Sequence, residues 1–207
     1  VLDAAQSFVK AENWSSQFEC ADAVVISPHK FYGPKGVSAL IYRPSRINLK
    51  PMIVGGGQEQ GLRSGTENMP ALALLNEWLN QLPILFEMYE EIRGLRDKFE
   101  TEITTKIPTA RILAYDARRL KNTSTVAFPG VDSESMIAAL DSLGIMASPG
   151  SACHSGSSTP SPTYLAHGLS WELARSVVRF SFGLGNLKID VAQLVDQICR
   201  AYVQSLP

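Results

Sequence analysis

The sequence is poor in cysteine and carries almost no net charge. Its 207 residues include three cysteines, Cys20, Cys153 and Cys199, which are widely spaced and form no CxxC pair. Neither a disulfide framework nor a metal site is therefore indicated. The formal net charge of -1 leaves no basic surplus for a nucleic acid partner. No apolar run approaches the roughly 18 residues that cross a bilayer, so we expect no membrane partner and a cytoplasmic location, or an organellar matrix.

The first residues, VLDAAQSF, also lack a leading loop or cap. An apolar pair runs directly into Asp3. A folded domain seldom starts on a strand end that carries an acid, because the first residues of a domain are usually poorly ordered. We therefore expect this chain to be the C-terminal part of a longer protein.

Apolar segments that predict strands alternate with segments of helical periodicity. Residues 21–27 (ADAVVIS) and 37–43 (VSALIYR) predict two strands in the first half of the chain. Residues 123–129 (TSTVAFP) and 145–150 (IMASPG) predict two more in the second half. This alternation is typical of an α/β protein.

Helix boundaries are indicated by capping residues and prolines. Apolar positions from Ala71 onward recur at helical spacing, and Pro70 suits the first turn of a helix capped near Asn68. Pro83 predicts an interruption of that helix. A later helix is predicted over 132–144, with Asp132 or Ser133 as its N-cap. We expect two domains, residues 1–94 and residues 95–207.

Lys30 lies where α/β proteins place their chemistry, at the end of a buried strand. An isolated loop lysine is usually just solvated. Here, however, Asp3 ends an earlier strand, Gln6 follows it, and a glycine-rich loop ends at Thr66. A strand-end lysine that forms a Schiff base, with an acid that keeps a pyridine nitrogen protonated, is the arrangement used in pyridoxal phosphate catalysis.

Cys153 differs from the other two cysteines in its surroundings. It lies among glycine, serine and alanine in the segment SPGSACHSGSS, a composition typical of a mobile, exposed loop. Cys20 and Cys199 lie in patterned segments, the latter in the predicted final helix over 189–206, and we expect both to be small packed core residues.

Five segments together resemble one known family, the class V aminotransferase-like enzymes of fold type I, and within it the cysteine desulfurases and selenocysteine lyases. The segments are LDAAQS, SPHKFYGPKG, GGGQEQGLRSGTEN, GSACHSGS and ELARSVVRFSFG. The resemblance implies the C-terminal part of a fold type I transferase: part of the large, mostly parallel-sheet domain with its bridging helix, and the small C-terminal α/β domain with the cysteine loop.

This resemblance also assigns roles around the cofactor, pyridoxal 5'-phosphate. Asp3 would pair with the pyridine nitrogen, and Gln6 would donate to the phenolic oxygen. Ser27 and His29 would hold the phosphate, where donors to an anion are charge-assisted. Lys30 would bind the cofactor covalently and, once freed, take the α-proton of the substrate.

The resemblance assigns roles to three further residues. Thr66 would reach the phosphate of a neighbouring subunit, which implies a homodimer. Arg179 would bind the substrate carboxylate as a planar, bidentate partner. Cys153 would receive sulfur or selenium from an amino-acid substrate, with a sulfur or selenium acceptor protein as a further partner.

The sequence also departs from the resemblance in two ways. The ring-stacking histidine and part of the phosphate site belong to an N-terminal half that this chain lacks, so a companion chain or the rest of a longer protein would supply them. His154, after the cysteine, and the following PSP segment resemble the selenocysteine lyases, which we place slightly ahead of the cysteine desulfurases, although His154 could equally be a plain loop residue.

Two other readings remain. A non-catalytic scaffold with the same fold would have no reason to keep Asp3, Lys30, Cys153 and Arg179 together. An aminotransferase would use Asp3 and Lys30 but would have no need for Cys153.

Overall fold

The computed structural model describes residues 1–150 and 159–207. The chain divides into two compact units, which we call the first unit, residues 1–87, and the second unit, residues 88–207. Within the described ranges, none of the helices combines the length and the apolar character that crossing a bilayer requires. The α/β class expected from the sequence is confirmed, with one sheet in each unit.

Three short strands form the sheet of the first unit in the order β1–β2–β3: β1 (Leu2–Asp3), β2 (Ala23–Ile26) and β3 (Ala39–Tyr42). β1 and β2 run parallel, and β3 runs antiparallel to β2. The helix α1 (Trp14–Glu19) lies in the connection between the two parallel strands, as a parallel crossover requires.

Aromatic rings fill the core of the first unit. The ring of Phe8 lies 4.7 Å from that of Trp14 and 4.9 Å from that of Phe31, measured between centroids. Phe18 lies 5.7 Å from Phe8, and Phe86 stacks on Trp14 at 5.6 Å. These contacts join the segment after β1 to the turn after β2, which are the two segments that carry the predicted cofactor residues.

The first of the two long helices begins where the sequence predicts. α2 (Met69–Leu79) has Asn68 as its N-cap, with the side-chain oxygen accepting from the Ala71 N–H at 3.3 Å. α3 (Leu82–Lys106) begins one residue before Pro83, so the proline lies in a first turn, where its missing N–H costs nothing. The predicted interruption at Pro83 is thus confirmed as the boundary between α2 and α3.

The sheet of the second unit is fully antiparallel, in the order β4–β5–β6. Its strands are β4 (Arg111–Ile112), β5 (Thr123–Ala127) and β6 (Val177–Ser181). β5 and β6 pair over their whole length, from Thr123 opposite Ser181 to Ala127 opposite Val177. The five-residue ladder forms the centre of this unit.

The prediction of a strand at 145–150 is wrong. Only Ser148 pairs with the sheet, through a single bridge to Arg179 in which each N–H donates to the other carbonyl, at 3.1 and 2.8 Å. Pro149 has no N–H to offer, and Gly150 has a φ of 88°, outside the extended region. The pairing therefore stops after one residue.

In the described part of the second unit four α-helices follow: α4 (Ser133–Ser142), α5 (Pro162–Ala166), α6 (Trp171–Arg175) and α7 (Val191–Ser205). Asp132 caps α4 by accepting from the Glu134 N–H at 3.0 Å, which confirms one of the two predicted caps. α7 buries one apolar stripe against the core, made by Val191, Leu194, Val195, Ile198 and Ala201.

The expectation that Cys20 and Cys199 are buried core residues is wrong for Cys20 and only partly met for Cys199. Cys20 is exposed because α1 is only six residues long and the cysteine follows its last residue. Cys199 lies beside the buried stripe of α7 and is partly exposed. Partial burial still raises the pKa of the Cys199 thiol, which keeps it less reactive than an ordinary cysteine.

Buried charges tie α3 to the segment 119–121. Glu100, 2% exposed, accepts two hydrogen bonds from the guanidinium of Arg119, at 2.6 and 2.9 Å. Lys121 pairs with Glu90 at 2.7 Å, and Arg96 donates to the Leu120 carbonyl at 2.8 Å. These contacts fix the segment that leads into β5.

Val9 adopts a backbone conformation that β-branched residues avoid. Its φ is 68°, and the residue is fully buried at 0% exposure. The left-handed conformation costs an L-residue roughly 1–2 kcal/mol. The packing of the Val9 side chain must offset this strain, so the turn is set by the core around it rather than by local preference.

We predict that Val9→Gly is more stable than Val9→Ala by about 1 kcal/mol, because glycine adopts the left-handed region without penalty. Val126, equally buried in β5, is the matched control. There Val126→Ala should be more stable than Val126→Gly, because glycine weakens a regular strand. Denaturant titration of the four variants gives the free energies of unfolding, and the same order at both positions would show that Val9 is not strained.

Removing one partner of the Glu100–Arg119 pair should be costly. We expect Glu100→Ala to lower the free energy of unfolding by about 3–5 kcal/mol, because it leaves the largely buried Arg119 without a counter-ion. The double variant Glu100→Leu/Arg119→Met should recover most of this loss. Arg46→Ala, which removes an exposed ion pair with Asp22, should cost less than about 1 kcal/mol. An equally small cost for Glu100→Ala would contradict the proposed importance of the buried pair.

Candidate active site

The ends of β1 and β2 meet at one edge of the first sheet. Leu2 pairs with Val24 and Asp3 with Val25 in parallel register, and the Ala4 N–H donates to the Val25 carbonyl at 2.9 Å. The carboxyl ends of parallel strands lie at the same edge, where ligands bind in open α/β sheets. The residues after β1 and the residues after β2 are therefore neighbours.

Asp3 is exposed at this edge and partly oriented. One carboxylate oxygen accepts from the Ala5 N–H at 2.9 Å, and the other makes no hydrogen bond to any residue that the structure describes. Gln6 directly follows Ala5 and is also exposed. A carboxylate and an amide thus face solvent at the end of β1.

Lys30 sits on a tight turn whose backbone is anchored in the core. Residues Pro28–Phe31 form a 3-10 helix in which Pro28 and Phe31 are buried while His29 and Lys30 are exposed. The Phe31 carbonyl accepts from the indole N–H of Trp78 at 2.9 Å. The anchored residues on either side hold the two exposed ones in place, so the amine of Lys30 projects from a fixed backbone.

Gly33 closes the same turn and tolerates no larger residue. Its N–H donates to the Pro28 carbonyl at 2.8 Å. A Cβ built on Gly33 would lie 3.0 Å from the Pro28 carbonyl oxygen and 2.7 Å from the Pro28 Cβ, and the second distance is closer than real Cβ atoms come. The glycine is required by this close approach.

The predicted phosphate ligands differ in their positions. Ser27 is the N-cap residue of the 3-10 helix and is half-buried, and its carbonyl accepts from the Lys30 N–H at 2.9 Å. His29 is adjacent to Lys30 on the same turn. Thr66 lies elsewhere in the first unit, exposed at the end of the glycine-rich loop, directly after Gly65 with its φ of 101°.

Lys10 is a residue of this site that sequence reasoning missed. It is only 6% exposed, and its ammonium donates to the Gln6 side-chain oxygen at 2.9 Å. Burial, and to a lesser extent the positive charge of Lys30, lowers the pKa of Lys10 from its ordinary 10.5 to about 8. The i, i+4 spacing from Gln6 is the signal that could have pointed to it.

Arg179 belongs to the second unit, on β6. It is half-buried, and its Nε atom is buried without a hydrogen-bond partner among the described residues. Burial raises the pKa of the nearby Tyr164, and the positive charge of Arg179 opposes that shift. A buried donor without a partner costs about 1–3 kcal/mol of stability. Arg179 is therefore suited to bind an anionic ligand, to which its Nε–H can donate.

The segment that would carry the catalytic cysteine begins beside Arg179. Ser148 pairs with Arg179, and the ring of Tyr164 packs so closely on Gly150 that a Cβ there would lie 2.8 Å from it. Tyr164 also lines a cavity of about 370 Å³ together with Thr163 and His167. Cys153 itself lies outside the described residues, as does His154.

The structure thus groups five predicted residues in the first unit at one sheet edge: Asp3, Gln6, Ser27, His29 and Lys30. It places Thr66 in the glycine-rich loop of the same unit, and Arg179 in the second unit. An amine, a carboxylate, an amide and donors for an anion are combined at the sheet edge, which suits covalent binding of an aldehyde that carries a basic ring nitrogen and a phosphate.

Comparison with known proteins gives a single family. The family described as aminotransferase class V matches residues 1–194 of the chain. A protein named cysteine desulfurase IscS 1 from Archaeoglobus fulgidus is 38% identical over 184 residues, which cover 85% of this chain and 46% of that protein. The chain therefore spans less than half the length of this curated relative.

Two solved structures have the same fold. A NifS-like protein from Rickettsia africae ESF-5 superposes with a TM-score of 0.80 at 29% identity, over 97% of this chain and 52% of that one. The structure described as SspA in complex with cysteine gives a TM-score of 0.63 at 34% identity, over 87% of this chain and 49% of that one. Both solved chains are about twice as long as the part matched here.

Stability should depend on pH through Lys10. Below about pH 8 the folded and unfolded chains both hold the proton, and the full cost of burying the charge is present. Between about 8 and 10.5 the unfolded chain binds more protons than the folded one, so stability rises with pH. The free energy of unfolding of the wild type should therefore rise by about 2–3 kcal/mol relative to Lys10→Met between pH 7 and pH 10.

Denaturant titrations at several pH values measure this difference. Lys50, an exposed lysine of the same unit, provides the control, and the difference between the wild type and Lys50→Met should not change with pH. A constant difference for Lys10→Met as well would show that the buried ammonium keeps an ordinary pKa.

Proposed function

Since the chain belongs to the aminotransferase class V family, whose cofactor is pyridoxal 5'-phosphate, we propose that it is part of an enzyme that removes sulfur from L-cysteine and leaves L-alanine. The observation that carries this proposal is the exposed amine of Lys30, held on an anchored turn at the sheet edge that also presents Asp3 and Gln6. The names of the relatives support sulfur as the element removed.

The residues at the sheet edge fit the cofactor. Within the described ranges the Lys30 amine makes no hydrogen bond or ion pair, and one oxygen of Asp3 is uncommitted. An amine without a hydrogen-bond partner can condense with the aldehyde of the cofactor, and a carboxylate can accept a hydrogen bond from the protonated nitrogen of its ring. Gln6, Ser27 and His29 add donors for the phenolic oxygen and the phosphate.

When bound, the cofactor supplies an electron sink for the charge that develops on the substrate Cα. Asp3 keeps the ring nitrogen protonated and so strengthens that sink. Lys30, once the substrate has displaced it, is a free amine that takes the α-proton. Its anchored backbone limits the positions that the amine can reach, which favours transfer to and from one face of the substrate.

We assign the substrate carboxylate to Arg179 and the departing sulfur to Cys153. The buried Nε of Arg179, which has no partner among the described residues, supports the first assignment, because a carboxylate would satisfy it. In the second, the Cys153 thiolate attacks the substrate sulfur, the Cβ–S bond breaks with its electrons returning to carbon, and a persulfide forms on the cysteine. An acceptor thiolate then attacks the outer sulfur of the persulfide, which passes to the acceptor protein while the Cys153 thiolate leaves.

Several finer points belong to the same proposal. Residues 1–94 contribute part of the cofactor-binding domain, and residues 95–207 form the small domain with the cysteine loop. Thr66 binds the phosphate of a neighbouring subunit in a homodimer, and the enzyme acts in the cytoplasm. The rest of the longer protein supplies the remaining cofactor contacts.

Selenocysteine lyase is the second candidate. The segment SACHS with His154, and the PSP segment after it, support this reading from the sequence. A selenol has a lower pKa than a thiol and leaves more readily, so a lyase depends less on Cys153 than a desulfurase does. The same variants therefore test both candidates.

We predict that borohydride treatment of the full-length protein fixes the cofactor on the Lys30 peptide, detected by mass spectrometry. Lys30→Ala should lose this adduct and produce no alanine, whereas Lys50→Ala, the exposed-lysine control, should retain both. Cys153→Ala should abolish alanine release from cysteine. Retained release from selenocysteine in that variant would favour the lyase, and normal turnover of cysteine by Lys30→Ala would overturn the proposal.

A further inference from the structure

Lys10 is an ammonium buried without a carboxylate. It is 6% exposed, and its one hydrogen bond goes to the neutral side chain of Gln6 at 2.9 Å. None of the described carboxylates forms an ion pair with it. Burying an unpaired charge is expensive, and the lowered pKa of Lys10 reflects that cost. Perturbed groups of this kind cluster at functional sites.

The backbone holds Lys10 in this position at a further cost. The segment after β1 makes helical hydrogen bonds, from the Phe8 N–H to the Ala4 carbonyl at 3.0 Å and from the Ala11 N–H to the Ser7 carbonyl at 2.9 Å. Val9 then takes its left-handed conformation directly before Lys10. The turn brings Lys10 onto the same face as Gln6, four residues earlier, and within electrostatic reach of Lys30.

The chemistry of the two side chains determines which way the Gln6 amide faces. An amide has an acceptor oxygen and a donor nitrogen, whereas an ammonium has donors only. Lys10 can therefore bind Gln6 in one orientation, with the oxygen toward Lys10 and Nε2 directed away from it. Gln6 is exposed and makes no other side-chain hydrogen bond among the described residues, so Lys10 is what fixes the amide.

We infer that Lys10 is a positioning residue that locks the Gln6 amide with its Nε2 hydrogens offered to an acceptor at the sheet edge beside Asp3 and Lys30. The inference rests on the proposed function for the identity of that acceptor, the phenolic oxygen of the cofactor. A flipped amide would instead present its own oxygen to that atom and repel it.

The first test uses the apo-protein and does not depend on the cofactor. In protein labelled with ¹⁵N in glutamine side chains, Gln6 should have an ordered amide in the wild type. Lys10→Met removes the donors at similar side-chain length, and the Gln6 amide should then become mobile. Lys10→Arg keeps donors and should retain the order, and Lys50→Met is the control. An equally ordered Gln6 amide in folded Lys10→Met would overturn the inference.

The second test uses the holoenzyme and follows the absorption of the bound cofactor with pH. A donor to the phenolic oxygen stabilises its negative charge, so its loss in Lys10→Met should raise the pKa of the absorption change by roughly one unit. Lys10→Arg should restore most of the wild-type value. If Lys10 acts through the amide, adding Lys10→Met to Gln6→Leu should shift the pKa little further.

A full additional shift in the Gln6→Leu background would mean that Lys10 acts by its charge alone, and would overturn the inference. Circular dichroism identifies any variant that fails to fold. If Lys10→Met does not fold, the pKa values of Lys10→Arg and Gln6→Leu are compared with that of the wild type instead. Failure of the proposed function is separately visible: the holoenzyme would lack a cofactor on Lys30 while the apo-protein test still gave its result.

Discussion

The parallel pairing of β1 with β2 is the constraint on which the candidate site depends. It consists of two residue pairs, Leu2 with Val24 and Asp3 with Val25, extended by one hydrogen bond from Ala4. Parallel strands need a long crossover between them, so the pairing joins segments some twenty residues apart. A register shift of one residue would turn Asp3 to the other face of the sheet and separate it from Lys30.

The site combines rigid backbone with exposed functional groups. On the turn after β2, the buried residues Pro28 and Phe31 flank the exposed pair His29 and Lys30. On the segment after β1, the buried side chain of Val9 anchors the backbone. Because buried apolar residues already fix the backbone, the exposed polar side chains lose little conformational entropy when they bind a ligand. The strain at Val9 and the closeness at Gly33 are the costs of that arrangement.

Sequence patterns predicted what depends on local interactions. The caps at Asn68 and Asp132 follow from side chains bonding to nearby backbone, and the strand end before Lys30 follows from a short apolar run. The prediction of a strand at 145–150 was wrong because an apolar run does not show whether pairing with a partner strand can continue beyond a proline. Lys10 was missed because a lysine is assumed to be exposed, and only the tertiary structure shows that this one is buried.

In the second unit, the buried Nε of Arg179 has no hydrogen-bond partner among the described residues. Other cations of this unit have described partners: Arg96 donates to a carbonyl and Lys121 has Glu90. Arg119 also has an Nε without a described partner, but its two terminal nitrogens donate to Glu100. Native proteins leave few buried polar atoms unsatisfied, and each one needs a cause. Arg179 lies on β6, where its backbone pairs with Thr125 of β5 on one side and with Ser148 on the other, so its backbone position is fixed. Unlike Arg119, Arg179 forms no ion pair with any described carboxylate, so its planar guanidinium is suited to bind the carboxylate of a ligand.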